Sequence, residues 1–596
     1  MHRGPGGQNT DHTETAENPH ETLTRLWQHL SERKAAIVSV VVMIFVSTAG
    51  TLAGPMLMRI AIDSHIMKGD IPGLVEIVLL MTAVYLFVSL FHWLQHYIMI
   101  GISQEFLKRL RNKLFKKYQT LSLDFFDNKT HGELMSRVSN DIENINVVLT
   151  QSVIQFIQGI LTIVGVLVMM LFLSYQLTII TVVTTPLLLL LIRYITRYTH
   201  KNFAERQKNL GKLNGNIEEN ITGQKVVKIY CQEEETINKF EKINEDFRVS
   251  SIKARIFAGI MGPIMNLMNN FNFALIAGVG GWLTVIGLAT VGTVAAFLNY
   301  IRQFNRPIRT MAEQYNNIQS ALAGAERVFE ILDREPNLKD EPGAESVARF
   351  EGRVVFSNVS FGYKEDEIVL KDVSFTAEKG EMVALVGPTG AGKTTIVNLL
   401  TRFYDINEGE IIIDGRNICR YKIQDLRSRI GIVLQDTYLF STTVRENIRY
   451  GRPDATDEEV ERTAEMANAS HFIKHLPQGY ETELKEEASN LSQGQRQLIS
   501  IARTILANPD ILILDEATSS IDTRTEKHVQ EAMKILMEDR TSFVIAHRLS
   551  TIKNADKILV IKEGEIIEQG SHQDLLGQKG FYYSLHNSQF RDADAI

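Results

Sequence analysis

The chain begins polar and then loses its charges over four long stretches. Residues 1–20 are rich in Gly, His, Thr, Asn and Glu without an apolar run; they read as a loose tail with no cleavable signal. Leu23, Leu26, Trp27 and Leu30 follow at i, i+3, i+4, i+7, the stripe of an amphipathic helix suited to a membrane interface. Ala35–Met58 is uncharged over 24 residues, and ~20 such residues cross a hydrocarbon core. Ile77–Ile102 is a second crossing. Asn144–Ile192 holds no Asp, Glu, Lys or Arg over 49 residues. As one helix it would run ~73 Å, more than two core thicknesses, so it folds back, with Ser174-Tyr175-Gln176 as the turn. Ile256–Ile301 is uncharged over 46 residues, and glycines at 278, 280, 281, 287 and 292 mark its turn region. The pattern predicts six spans.

Lys and Arg placement orients them. Residues 103–147 carry eight, and 193–255 carry many more, whereas the opposite connections hold only Arg59 and Lys68. Both termini and both long connections are therefore expected in the cytoplasm, at the cytoplasmic membrane. Asn266, Asn269, Asn270 and Asn272 in the fifth span, Gln155 and Gln158 in the third and Asn299 in the sixth are costly against lipid. They are expected to face the bundle or a wet cavity, in interhelical hydrogen bonds or in substrate contact. No acidic residue lies in the middle of spans three to six, so a binding site dedicated to one cation is not indicated.

Past Pro336, Pro342 and Gly343 in a charged linker the texture changes. Short β-branched runs (Val383–Val386, Ile411–Ile413, Ile511–Leu514, Phe543–Ala546) alternate with helical patterns, which predicts an α/β domain with a largely parallel sheet. The expected organisation is a tail at 1–20, a transmembrane domain at 21–332, a linker at 333–350, this α/β domain at 351–590 and a tail at 591–596. Composition adds exclusions. With 63 Lys+Arg against 70 Asp+Glu the net charge is −7, so no basic excess points to nucleic acid. Two cysteines, Cys231 and Cys419, build no disulfide scaffold and suit a reducing compartment.

The chemistry lies in the second half. Gly387-Pro388-Thr389-Gly390-Ala391-Gly392-Lys393-Thr394 is G-x-x-x-x-G-K-T, placed between a strand at Met382–Val386 and a helix beginning near Lys393. Its glycines let backbone N–H groups close around phosphates at a helix N-terminus. Lys393 would reach the β/γ-phosphates, and the Thr394 hydroxyl would hold Mg²⁺. Ile511–Leu514 leads into Asp515 and Glu516. Side chains alternate along a strand, so Asp515 suits the Mg²⁺ shell and Glu516 can polarise the attacking water. Leu491-Ser492-Gln493-Gly494-Gln495 precedes an apolar helix just upstream, and Ser492 and Gly494 offer an anion site or an ordinary N-cap.

Arriving in this order, the motifs resemble those of an ABC exporter half-transporter of the multidrug and lipid export type, over residues 20–590. The resemblance implies an α-helical six-span transmembrane domain followed by an α/β P-loop ABC ATPase domain, with ATP and Mg²⁺ as ligands. It makes Tyr363 the adenine-stacking aromatic and Gly387 through Thr395 the Walker A loop. Gln435 becomes the Q-loop glutamine on Mg²⁺ and water, Leu491–Gln495 the signature, and Asp515 and Glu516 the Walker B pair. Asp522 falls in the D-loop, and His547 is the switch histidine at the γ-phosphate. Phe125-Phe126-Asp127 with Gly132–Arg137 resembles the first coupling helix, and Gly223–Lys228 the second. One chain supplies half of the resembled machine, so a second half-transporter is the expected partner, beside membrane lipids and an amphipathic substrate.

Two departures shape that expectation. Gln493 stands where the signature usually has Gly, and Leu484–Asn490 lacks the usual Gly-Glu-Arg-Gly pattern. In the family one chain's signature caps ATP on the other chain's Walker A. The ATP bound here is therefore expected to be hydrolysed, and the ATP capped by this signature to sit in a weaker site. That resembles the fully equipped chain of a heterodimer, with a homodimer as the alternative. A gating subunit without turnover, or a peptide transporter, fits less well: Lys393, Glu516 and His547 are intact, and no Cys/His protease segment precedes the spans.

Overall fold

The computed structural model describes residues 16–364, 367–435, 437–516, 523–546 and 552–590. They form two compact units. One contains residues up to Gln119 together with Thr130–Arg334, and the other Thr120–Lys129 together with Glu335 onward.

The first unit is helical. Helix α1 (Pro19–Leu30) starts on a proline, whose fixed φ suits a first helical position. It buries Leu26 and leaves Leu23 and Trp27 about half exposed, as an interfacial stripe requires. Arg25 ties it to the far end of the unit by a two-pronged pair with Asp333 at 2.5 and 2.6 Å. The long helices are α2 (Lys34–Ile60) and α3 (Ile71–Thr120), then α5 (His131–Leu173), which carries two π-helical turns, and α6 (Tyr175–Thr222). The short α4 (Leu123–Asp127) lies between α3 and α5, and α7 (Gln224–Ile229) separates α6 from α8 (Glu233–Val285); α9 (Val291–Asp333) closes the unit. Among the described residues, Ser31–Lys68, Ile71–Thr120 and His131–Leu173 are long and apolar enough by themselves to cross a membrane. At 50 residues α3 is ~75 Å long, so it extends well beyond a ~30 Å core. Trp93, Phe172 and Val285 are 62%, 82% and 86% exposed, a surface suited to lipid or to a partner helix rather than to water.

The turns differ in how they arise. Between α5 and α6 the chain breaks at Ser174, which is extended and whose hydroxyl accepts from the Leu177 amide. The second turn is narrower than the glycine spacing suggests, because α8 runs straight through Gly278, Gly280 and Gly281. Of the five glycines only Gly287 lies in the turn at positive φ, +80°. Gly280 is a packing position, since a Cβ there would stand 2.9 Å from Val294.

Toward the ends remote from these turns, α5 and α9 are joined by charge. Asp141, 3% exposed, accepts from Arg327 Nη2 at 2.5 Å and Nε at 3.1 Å, and from Arg137 Nη1 at 3.1 Å.

The second unit holds two sheets. A small antiparallel sheet runs β2-β1-β4-β5, from β1 (Val354–Phe361), β2 (Leu370–Ala377), β4 (Glu408–Ile413) and β5 (Arg416–Asn417). The larger sheet runs β10-β9-β3-β8-β7-β6. Its strands are β3 (Met382–Val386), β6 (Ile430–Val433), β7 (Ile511–Glu516), β8 (Thr541–Ala546), β9 (Lys557–Lys562) and β10 (Glu565–Gly570). All its pairings are parallel except the β9–β10 edge. Ile511–Leu514 and Thr541–Ala546 are buried throughout, as strands covered on both faces must be. The expected linker belongs partly to its neighbours. Helix α9 continues to Asp333, and Asp340 accepts from the Ile423 amide at 2.8 Å within the second unit.

Candidate nucleotide site

Parallel strands point their carboxyl ends the same way, and ligands of open α/β sheets bind outside those ends. Here the order β3-β8-β7-β6 makes three motifs neighbours among the described residues. The Gly387–Thr395 loop leaves β3, Asp515 and Glu516 end β7, and Gln435 follows β6. Register aligns them, with Leu385 and Asp515 both opposite Ile545, and Glu516 opposite Ala546. His547 follows directly on Ala546 but lies outside the described residues, as does Asp522.

The loop is shaped by its glycines. Gly390 and Gly392 take φ of +83° and +103°, a region that glycine enters without steric cost. A Cβ on Gly387 would stand 2.1 Å from the Ile561 carbonyl. Helix α10 (Lys393–Leu400) starts immediately after. The Lys393 ammonium is 8% exposed and donates to the carbonyls of Gly387 at 2.7 Å and Pro388 at 2.9 Å. Burial holds its pKa below the usual lysine range, with the Asp515 carboxylate acting in the opposite sense. A desolvated cation inside a turn of backbone amides fits a polyphosphate. The Thr394 hydroxyl, the Gln435 amide and the Asp515 carboxylate are hard oxygen donors of the kind magnesium takes.

Tyr363 comes from β1's end yet reaches α10: its hydroxyl lies 3.3 Å from Thr395 Oγ1 and accepts from Asn398 Nδ2 at 3.2 Å. It is 43% exposed, leaving a ring face for stacking. Tyr404, which carries no sequence signal, packs edge-on against it at 5.1 Å. The Tyr404 hydroxyl donates to the Asp127 carboxylate of α4, and burial together with that carboxylate raises its pKa. Phe125 of α4 is buried, and Asn337 Nδ2 donates to Asp124 at 3.2 Å. Of the segment expected to form the first coupling helix, Phe125–Asp127 therefore belongs to the nucleotide unit, where Asp127 meets the Tyr404–Tyr363 pair, while Gly132–Arg137 belongs to the helical unit. The second, on α7, leaves Val226 and Ile229 58% and 75% exposed.

Ser492 through Gln495 do not join the loop. Ser492 opens α11 (Gln493–Ala507) with a reciprocal capping box, in which its hydroxyl accepts from the Gln495 amide and Gln495 Oε1 accepts from the Ser492 amide at 2.9 Å. Among the described residues, Ser492, Gln493, Gly494 and Gln495 share no hydrogen bond with residues 387–395. Instead Gln493, Arg496, Glu487 and Gln435 line a cavity of about 230 Å³. The departure before the signature is visible in the backbone. Glu487 and Ala488 hold φ of +54° and +50°, left-handed positions that cost a non-glycine residue about 1–2 kcal/mol.

Residues 37–308 match the ABC transporter transmembrane region and residues 370–519 the ABC transporter domain. The chain is 48% identical over 569 residues to the ABC transporter ATP-binding protein YfiC of Bacillus subtilis, covering 96% of this chain and 94% of that one. It is 45% identical over 503 residues to a fatty acid ABC transporter ATP-binding/permease protein of Mycobacterium bovis, covering 84% and 79%. A solved bacterial Atm1-family ABC exporter with ATP bound superposes with a TM-score of 0.73 at 31% identity, over 93% of this chain and 98% of that one. The chain belongs to the ABC transporters, as a membrane-embedded exporter half-transporter of the lipid and multidrug type whose ATPase domain hydrolyses ATP to drive transport.

Proposed function

We propose that this chain exports amphipathic compounds, drugs or lipids, across the cytoplasmic membrane by alternating access, as one half of a heterodimer. It crosses the membrane six times, with both termini in the cytoplasm. The observation that carries the reading is the convergence of the phosphate loop, Asp515, Glu516 and Gln435 on one edge of the large sheet, around the buried Lys393.

In this reading Tyr363 stacks on adenine, and the loop amides with Lys393 grip the phosphates. Thr394, Gln435 and Asp515 would hold a magnesium ion, which would supply charge neutralisation at the phosphoryl oxygens. Glu516 takes the proton of the attacking water, and His547 positions that water at the γ-phosphate. Ser492, Gln493, Gly494, Gln495 and Asp522 face the nucleotide on the partner. Closure of the two heads excludes water, which strengthens every fixed charge around the phosphates, and α4 passes the movement to α3 and α5.

The partner is tested by purifying the chain alone and together with the product of its neighbouring gene. Vanadate-sensitive ATPase in the mixture only establishes the heterodimer, whereas full activity alone discards it in favour of a homodimer. The role of Tyr404 is tested separately. A hydrogen bond to a charged group contributes about 1.5–3 kcal/mol, so Tyr404→Phe is expected to cut amphiphile-stimulated ATPase by about fivefold or more while basal ATPase stays within about twofold. Undiminished stimulation would exclude Tyr404 from the transmission path.

A further inference from the structure

Helix α9 carries Arg302, Arg306 and Arg309 just beyond the uncharged stretch. Counted from Val291, Arg302 lies ~16 Å and Arg306 ~22 Å along the helix, against a hydrocarbon core of ~30 Å. Both are exposed. With Asn305, and with Asn269, Asn270 and Phe273 of α8, they line a cavity of about 300 Å³, the volume of on the order of ten waters. The Arg302 guanidinium lies over the Phe273 ring, 5.7 Å from its centroid, and Asn305 Nδ2 donates to Asn269 Oδ1 at 3.3 Å. Among the described residues neither arginine has an ion-pair partner.

That combination is energetically one-sided. Like charges at i, i+4 repel, and a charge at membrane depth is costly unless it is paired or wet. The cavity offers two guanidinium forks, amide donors and an aromatic wall, with no carboxylate among its lining residues. An anion relieves the repulsion and is met bidentately by the planar forks, whereas a cation meets two like charges.

We propose that this cavity binds the anionic headgroup, carboxylate or phosphate, of the exported amphiphile, with Arg302 and Arg306 as its charge partners. The inference rests on the export reading above and narrows the cargo from amphipathic compounds in general to anionic ones.

The test uses the full chain, in its active dimer, in nanodiscs of neutral phosphatidylcholine. Displacement of radiolabelled hexadecanoate and stimulation of ATPase are measured for hexadecanoate, hexadecyl phosphate, 1-hexadecanol and hexadecyltrimethylammonium. The two anions are expected to bind at least about tenfold more tightly than the alcohol or the cation, the size of one or two charge-assisted hydrogen bonds. R302Q/R306Q is expected to erase that preference, and R302K/R306K to keep it within about threefold. Should the glutamine variant fail to fold, the headgroup series on the unaltered protein decides alone. Equal or tighter binding of the alcohol or the cation overturns the proposal and leaves the export reading standing. Absence of binding and of stimulation by all four overturns both. Full competition by phosphatidylglycerol in the bilayer, or by millimolar inorganic phosphate, assigns the cavity to bulk lipid or to a free anion and overturns the cargo assignment.

Discussion

Glu516→Gln binds ATP as the unaltered chain does and loses about 10³-fold of its turnover, within the range that a positioned general base contributes. The residue closes β7, in register with Ala546 of β8 and one position past Asp515. Alternation along the strand sends Glu516 and Asp515 in different directions, so in the proposed mechanism one carboxylate would be free to activate water while the other would hold magnesium. Glutamine keeps the volume and the hydrogen-bonding reach but cannot accept the water's proton. Because hydrolysis resets the closed heads, the variant should accumulate as a dimer with trapped nucleotide. Phosphate release and nucleotide trapping measure the two effects together. Turnover at the level of the unaltered chain would remove Glu516 from its role.

The second large effect is on stability, at the α5–α9 junction. Asp141 is almost fully buried and serves two arginines at once, Arg327 through both prongs and Arg137 through one. Asp141→Ala removes the buried carboxylate that two partly exposed guanidinium groups share, a loss of about 3 kcal/mol, the lower end for a buried pair broken on one side. Arg137 retains Glu133 at 3.1 Å. Thermal unfolding of the chain in nanodiscs is expected to show a fall in midpoint of several degrees. The double variant Asp141→Ala with Arg327→Ala should lose less than the sum of the two single changes, because the partners are coupled. A shift within the scatter of ordinary surface substitutions would mean that the pair is not holding the helices together.

These two sites differ in how far the sequence announces them. Glu516 is legible because a nucleotide site is built from local pieces: a strand of four buried aliphatics ending in carboxylates, and a glycine loop between strand and helix. The spans are legible for a similar reason, since lipid forbids charge over a whole helix length and leaves uncharged runs behind. Ser174 as the break in one of those runs follows from the same arithmetic. The glycines at 278–281 mislead because their cause is different. Gly280 lets Val294 of α9 approach, and the turn itself needs only Gly287 and its neighbours.

Long-range polar contacts leave no such trace. Asp141 and Arg327 are 186 residues apart, and Asp127 and Tyr404 are 277 apart, with no period or motif linking either pair. Arg302 falls one residue beyond the uncharged stretch and so reads as the end of a span, although α9 continues through it to Asp333. Ser492 shows the converse. Its motif is legible, but within one chain it is an N-cap, and the use proposed for it calls for a second half-transporter.

The most direct measurement is ATP-driven uptake of a fluorescent anionic amphiphile into inside-out vesicles containing the active dimer. Uptake that requires ATP, stops with vanadate and disappears in Glu516→Gln is the result predicted here. Uptake that proceeds without ATP, or continues undiminished in Glu516→Gln, would contradict the claim that hydrolysis at this sheet edge drives export.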